Sequence, residues 1–97
     1  MNTIVCEAIE KRLRVRFEYG GGARLAEAHV YGRDKAGDEL IRAYQVSGHS
    51  NSGKPTGWKL FRVEEIGNLI LTNEAITGPR PDYKSDDPVM ETVYCRL

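Results

Sequence analysis

Ninety-seven residues with 40% hydrophobic side chains suffice for one compact domain, residues 1–97, and leave no room for a second core. Fourteen basic and fourteen acidic side chains cancel, so no overall basic excess announces nucleic-acid binding, and any anion site must come from local placement. No apolar run approaches the roughly 20 residues of a membrane span, and the start Met1-Asn2-Thr3-Ile4-Val5-Cys6-Glu7 lacks the basic and apolar regions of a signal peptide, which predicts a cytoplasmic protein without membrane contact.

Residues 3–12 are predicted to be helical. Asn2 or Thr3 can cap, Val5, Ala8, Ile9 and Arg12 or Leu13 recur at helical spacing, and Glu7 pairs with Lys11 four residues on. Leu13, Val15, Phe17 and Tyr19 then alternate with Arg14, Arg16 and Glu18, the pattern of a half-buried strand that Gly20-Gly21-Gly22 ends. A second strand over 24–33 should face inward with Ala26, Ala28 and Val30, leaving Glu27, His29 and Tyr31 on its other side. After a turn at 34–38, a third strand over 39–48 sets Leu40, Arg42, Tyr44 and Val46 on one face and Ile41, Ala43 and Gln45 on the other.

Residues 49–57 have the composition of a mobile loop and lack the order of a phosphate-binding P-loop. Trp58 to Val63 and Leu69 to Leu71 are two short strands about a polar corner at Glu64 and Glu65; within the first, Arg62 ends a row shared with Trp58 and Leu60. Asn73 to Thr77 is predicted as a helical turn. Gly78-Pro79-Arg80-Pro81-Asp82-Tyr83 should be an extended surface segment, because its prolines disfavour helix and ladder alike. Asp82 to Glu91 is expected to be a flexible acidic end, and 89–97 a last strand. These elements predict a mainly β domain, a small antiparallel barrel or bent sheet with one short N-terminal helix over 3–12, a core over 13–72 and an extension over 73–97. Cys6 and Cys95 have no CxxC partner or neighbouring histidine and are expected to be free thiols; a disulfide between them requires that the two ends meet in an oxidising compartment.

The helix with Ala-Ile-Glu-Lys-Arg, the strand ending Phe-Glu-Tyr, Arg24-Leu25-Ala26-Glu27-Ala28-His29, Gly37-Asp38-Glu39-Leu40-Ile41-Arg42-Ala43-Tyr44 and Leu60-Phe61-Arg62-Val63-Glu64-Glu65-Ile66 together resemble the WYL domain over about residues 4 to 72. The resemblance implies an SH3-like or Sm-like β-barrel of bacterial transcription regulators and phage-defence proteins, sensing a nucleotide or nucleic-acid fragment through a basic pocket to which Arg24 and Arg62 contribute. Glu39, Leu40 and Ile41 stand where the family has its naming tripeptide, and Ala28 where it has proline. Fewer than five residues precede the first helix, so the usual winged helix is missing and a free-standing sensor or adaptor, or a fragment, is expected.

The residues supply an independent argument for the arginines: a guanidinium is a planar fork that fits phosphate or carboxylate and keeps its charge when partly desolvated. Arg42 and Tyr44 share a face and offer charge beside a stacking surface, and His29 could donate to a ligand. Against this stand ion pairs of the arginines with Glu27, Glu64 or Glu65. Arg12, Arg14 and Arg16 are expected on one face at about 6–7 Å intervals, near the phosphate spacing of a DNA strand, or as a solvated face. No nucleophile with a base, metal cluster or glycine-rich phosphate cradle stands out, so no catalysis, metal or cofactor is expected. The leading expectation is a non-catalytic sensing or regulatory domain for an anionic small molecule, nucleotide or short nucleic acid. Its competitor is a protein-interaction or dimerisation module with structural arginines.

Overall fold

The structure, a computed structural model, describes residues 2–97. Helix α1 (Thr3–Lys11) is followed by strands β1 (Leu13–Tyr19), β2 (Gly22–Arg33), β3 (Glu39–Gly48) and β4 (Gly57–Arg62), a 3-10 turn (Val63–Glu65), β5 (Gly67–Ala75) and β6 (Thr92–Arg96). The strands pair in the order β4-β3-β2-β1-β5, with β6 added to β2, and every pairing is antiparallel. The result is the mainly β, small bent sheet with one short helix that the sequence predicts.

Strand β2 is the spine. Residues Gly22 to Ala26 pair with β1, Val30 to Arg33 pair with β6, and β3 runs alongside from Arg24 to Arg33. Its nine residues from Arg24 to Gly32 are all buried, because the helix and core cover one face and the chain after β5 covers the other. The register shift between Leu25 and Ala26 puts an extra residue, Val46, in β3, and that between Ala28 and Val30 an extra residue, His29, in β2; each bends its strand, as bulges do. The second shift corrects the predicted alternation: Tyr31, expected opposite Ala26 and Ala28, joins them in the core cluster.

Asn2 caps α1, its Oδ1 accepting from the amides of Ile4 at 3.0 Å and Val5 at 3.3 Å, a contribution of about 1 kcal/mol. The helix buries Val5, Ala8 and Ile9 and ends at Arg12 in the left-handed region (φ 56°). Phe61 anchors the far side of the core, with the rings of Phe17 and Tyr19 each edge-on at 4.9 Å.

Three further expectations change. Residues 73–75 extend β5 instead of forming a helical turn, because pairing with β1 reaches Leu13↔Ala75 and the Ile76 amide continues it to the Arg12 carbonyl at 2.8 Å. Asp87, expected in a flexible acidic end, is buried and ion-paired with Arg42. Cys6 and Cys95 are not free thiols but form a disulfide, their Cα atoms 5.7 Å apart. The ends meet because β6 pairs Cys95 with Tyr31 while the Asn2 amide donates to the Tyr31 hydroxyl at 2.6 Å. Such a bond weighs against the cytoplasmic expectation, since reducing compartments keep thiols reduced. No helix among the described residues is long and apolar enough to cross a membrane.

Candidate functional site

Arg24 enters the sheet at the start of β2, where the β1–β2 turn and the β3–β4 loop close one end of the fold. Only 5% of it is exposed. Nε donates to the Tyr19 carbonyl at 3.1 Å and Nη1 to Gln45 Oε1 at 3.3 Å, and the guanidinium carbon lies 5.2 Å from the Tyr19 ring centre and 5.5 Å from that of Phe61. Among the described residues no carboxylate lies within 4 Å of it. Burial accordingly holds its pKa below the ordinary guanidinium value, the direction expected when a cation loses water without gaining an anion.

Nη2 has no acceptor among the described residues, whereas every fully buried side-chain nitrogen and oxygen there is bonded. Nη2 therefore reaches solvent. It does so beside Gly20, whose φ of +59° suits glycine; a Cβ there would stand 3.2 Å from Arg24 Nη2 and overlap Asn51 Nδ2. The Asn51 amide is oriented by His49, whose Nε2–H donates to the Gly20 carbonyl at 3.0 Å and to Asn51 Oδ1 at 2.8 Å. The carbonyl can only accept, which assigns the proton to Nε2 and turns Asn51 Nδ2 toward the arginine side. Two donors thus lie around the space that a Cβ at Gly20 would fill.

Gln45, fully buried, ties this end together. Its Oε1 accepts from Arg24 and its Nε2 donates to the carbonyls of His49 at 2.9 Å and Pro55 at 3.0 Å. The loop expected to be mobile is thereby fastened at both ends. Lys59 Nζ donates to the hydroxyls of Ser52 at 2.9 Å and Ser50 at 3.3 Å. Like Arg24, Lys59 has no carboxylate within 4 Å among the described residues.

The other face of the sheet carries the opposite arrangement. Glu27, 2% exposed, receives Arg14 Nε at 2.9 Å and a fork from Arg80, Nε at 2.7 Å and Nη2 at 3.2 Å. Burial pushes its carboxyl up, but the hydrogen bonds from Arg80 and Arg14 outweigh that and leave the pKa below the usual range. His29 Nδ1–H donates to the Glu27 carbonyl at 2.8 Å and its Nε2 accepts from the Arg80 amide at 3.1 Å. Burial lowers its pKa first of all, and the neutral ring suits an acceptor at Nε2. Beside it a cleft of about 300 Å³ is lined by Arg42, Trp58, Asp82, Lys84, Asp87 and Pro88.

No family model matches the chain, and neither a curated protein nor a solved structure matches it. The WYL resemblance therefore rests on the quoted motifs, and the site is judged by its own chemistry.

The five residues expected to share one pocket are not brought together. Arg24 faces the core end, while Arg42, Tyr44 and His29 belong to the opposite face under the chain after β5. Arg42 is engaged by Asp87 at 2.7 and 3.4 Å, and Tyr44 is covered by the Arg80 guanidinium, whose carbon lies 4.5 Å from the ring centre. Burial pushes the Asp87 carboxyl up, yet its bonds from Arg42 and the Val89 amide bring the pKa below the usual value. Arg62 lies apart, 42% exposed and held by Asp38 at 3.1 Å, Glu64 at 3.2 Å and Glu65 at 3.1 Å.

The expected basic face is neutralised as well. Arg14 bonds Glu27 and Glu74, Arg16 approaches Glu74 at 3.6 Å, and Arg12 leaves the row because it caps the helix. Gln45, His49, Asn51 and Lys59 went unrecognised in the sequence. Gln45 alone carried a signal there, as a polar residue ending the row Ile41, Ala43. Chemically the Arg24 end offers an oxyanion fixed donors and a partly desolvated cation with no carboxylate within 4 Å among the described residues.

Proposed function

We propose that this protein is a non-catalytic, ligand-sensing or regulatory domain whose ligand carries a compact oxyanion, such as the terminal phosphate of a small molecule or nucleotide, held by Arg24 and Asn51. The observation that carries the reading is Arg24: buried, with no carboxylate within 4 Å among the described residues, and with an Nη2 that has no acceptor there and is not fully buried. A desolvated cation without a counter-charge is costly to keep, and a ligand anion would offset that cost. The basic pocket implied by the WYL resemblance agrees in kind but is centred on Arg24 alone. A compact anion is favoured over a nucleic-acid strand because Arg14, Arg16, Arg42 and Arg62, which could have extended a phosphate track, are already engaged by carboxylates.

Calorimetric titration with inorganic phosphate, a nucleoside monophosphate and a short oligonucleotide, at low and physiological ionic strength, tests this. The monophosphate should bind. Arg24→Lys should weaken it about tenfold through loss of the planar fork, whereas Arg42→Ala and Arg62→Ala should leave it unchanged. Absence of anion binding at low salt, or an Arg24→Lys protein that binds normally, overturns the proposal.

One observation favours the interaction-module reading. Strands β4 and β5 end the sheet, and Leu60 on the first and Ile70 on the second are 37% and 54% exposed. Sheet ends of this kind can add a strand from a second molecule. A concentration-dependent increase in gel-filtration size, abolished by Ile70→Lys, would support that reading.

A further inference from the structure

The face opposite Arg24 holds a segment of the chain as if it were a ligand. Residues 78–83, Gly-Pro-Arg-Pro-Asp-Tyr, cross it without joining any strand. Arg80 forks onto Glu27 with its guanidinium over Tyr44, its backbone N–H donates to His29 Nε2, and Trp58 Nε1 donates to the Pro81 carbonyl at 2.9 Å. Tyr83 then stacks on Trp58, ring centres 6.4 Å apart and planes 19° from parallel. Glu27 meets the side-chain charge, His29 the backbone donor, and Trp58 both the backbone acceptor and the aromatic ring.

Two features make this a recognition surface rather than only a packed loop. The segment's prolines have no N–H to satisfy, so it can lie on a sheet face without a ladder, as extended proline-rich ligands do in aromatic grooves. The slot is also preformed. Glu27 is held by Arg14 as well as by Arg80, so one bonded cation remains on its carboxylate when Arg80 leaves. The receptor residues stand on paired strands, whereas residues 76–91 form no helix or strand.

We propose that this face is a docking groove for a partner protein's extended segment in which a single arginine is flanked by prolines, and that residues 78–83 occupy it in cis. A second copy fits less well as the donor. The segment's ends are fixed by β5 and by β6, itself tied to α1 through Cys95, so it can lift off its own sheet but cannot travel far. Held so close, it competes at an effective concentration on the order of millimolar, and a partner binds well only when the segment has been loosened.

The test uses the full chain and an acetylated, amidated, fluorescently labelled Gly-Pro-Arg-Pro-Asp-Tyr peptide, followed by anisotropy. Trp58, the only tryptophan, reports groove occupancy through its emission. Arg80→Ala should empty the slot, shift Trp58 emission to the red and bind the peptide at least tenfold more tightly than wild type. Adding the peptide should reverse the red shift, and a peptide with citrulline for arginine should lose about tenfold. Should Arg80→Ala fail to fold by circular dichroism, Arg80→Lys, which keeps a cation at Glu27 without the fork, is expected to show the same order of affinities with a smaller gain. A folded variant that binds the peptide no better than wild type, that ignores the citrulline change, or that dimerises instead of binding, overturns the proposal.

Discussion

The start and the middle of β2 put arginine in opposite situations. At its start, Arg24 is buried with carbonyl and amide oxygens for company and no acid; at its middle, Glu27 is buried between two arginines that remain partly exposed. The sequence places these residues three apart with similar neighbours. What separates them is the side of the sheet each faces, and the lesson is that an arginine is available to a ligand only where the fold withholds its acid.

Breaking the acidic side should have the largest effect. Glu27→Ala leaves Arg14 and Arg80 without their shared carboxylate and should cost about 3 kcal/mol in urea unfolding, with a red shift of Trp58 as the segment above it loosens.

Acidification should come next. The folded pKa of His29 lies below its ordinary 6.5, so between the two values the unfolded chain binds more protons than the folded one, and stability falls as pH drops through that window. A second loss should follow below the ordinary carboxylate values of Glu27 and Asp87, whose folded pKa values are depressed. Unfolding midpoints measured from pH 7 downward should show both steps, and His29→Gln should remove only the first.

Arg24→Met should separate function from folding: anion binding is lost, while stability stays within about 1 kcal/mol of wild type, because the desolvation cost relieved offsets the hydrogen bonds given up. The smallest change belongs to Arg62→Ala. Its three carboxylates are solvent-exposed, and screened surface pairs contribute little, so the unfolding midpoint should not move measurably. A clear drop there would mean that exposed pairs matter as much as the buried one.

Local pattern made much of this fold legible. Alternation located β1 and β3, and the Trp58 to Leu71 stretch was recognisable as two strands about a polar corner. What stayed hidden depends on distant pairing. Tyr31 changes face because of a bulge that no local pattern marks, residues 73–75 become strand because β1 offers an edge, and Cys95 reaches Cys6 only through the β6 register on β2. Which arginines are left without a carboxylate was not legible. Arg24 was one candidate among several, and Arg42 and Arg62 looked equally available until Asp87, Asp38, Glu64 and Glu65 were in place. The prolines at 79 and 81 correctly signalled an extended segment, yet nothing in them said that Glu27, His29 and Trp58 would receive it.

The Cys6–Cys95 bond also decides how the molecule carries load. Its 89-residue span encloses the sheet except for Arg96 at the end of β6, so tension applied through the two ends passes across one covalent link and bypasses most of the strand pairing. Reduction would put the strands in the force path and release about 300 Å of hidden contour length, at about 3.4 Å per residue. Chain stretched between two anchors would then yield as a long, compliant tether where the oxidised form is a short, stiff one.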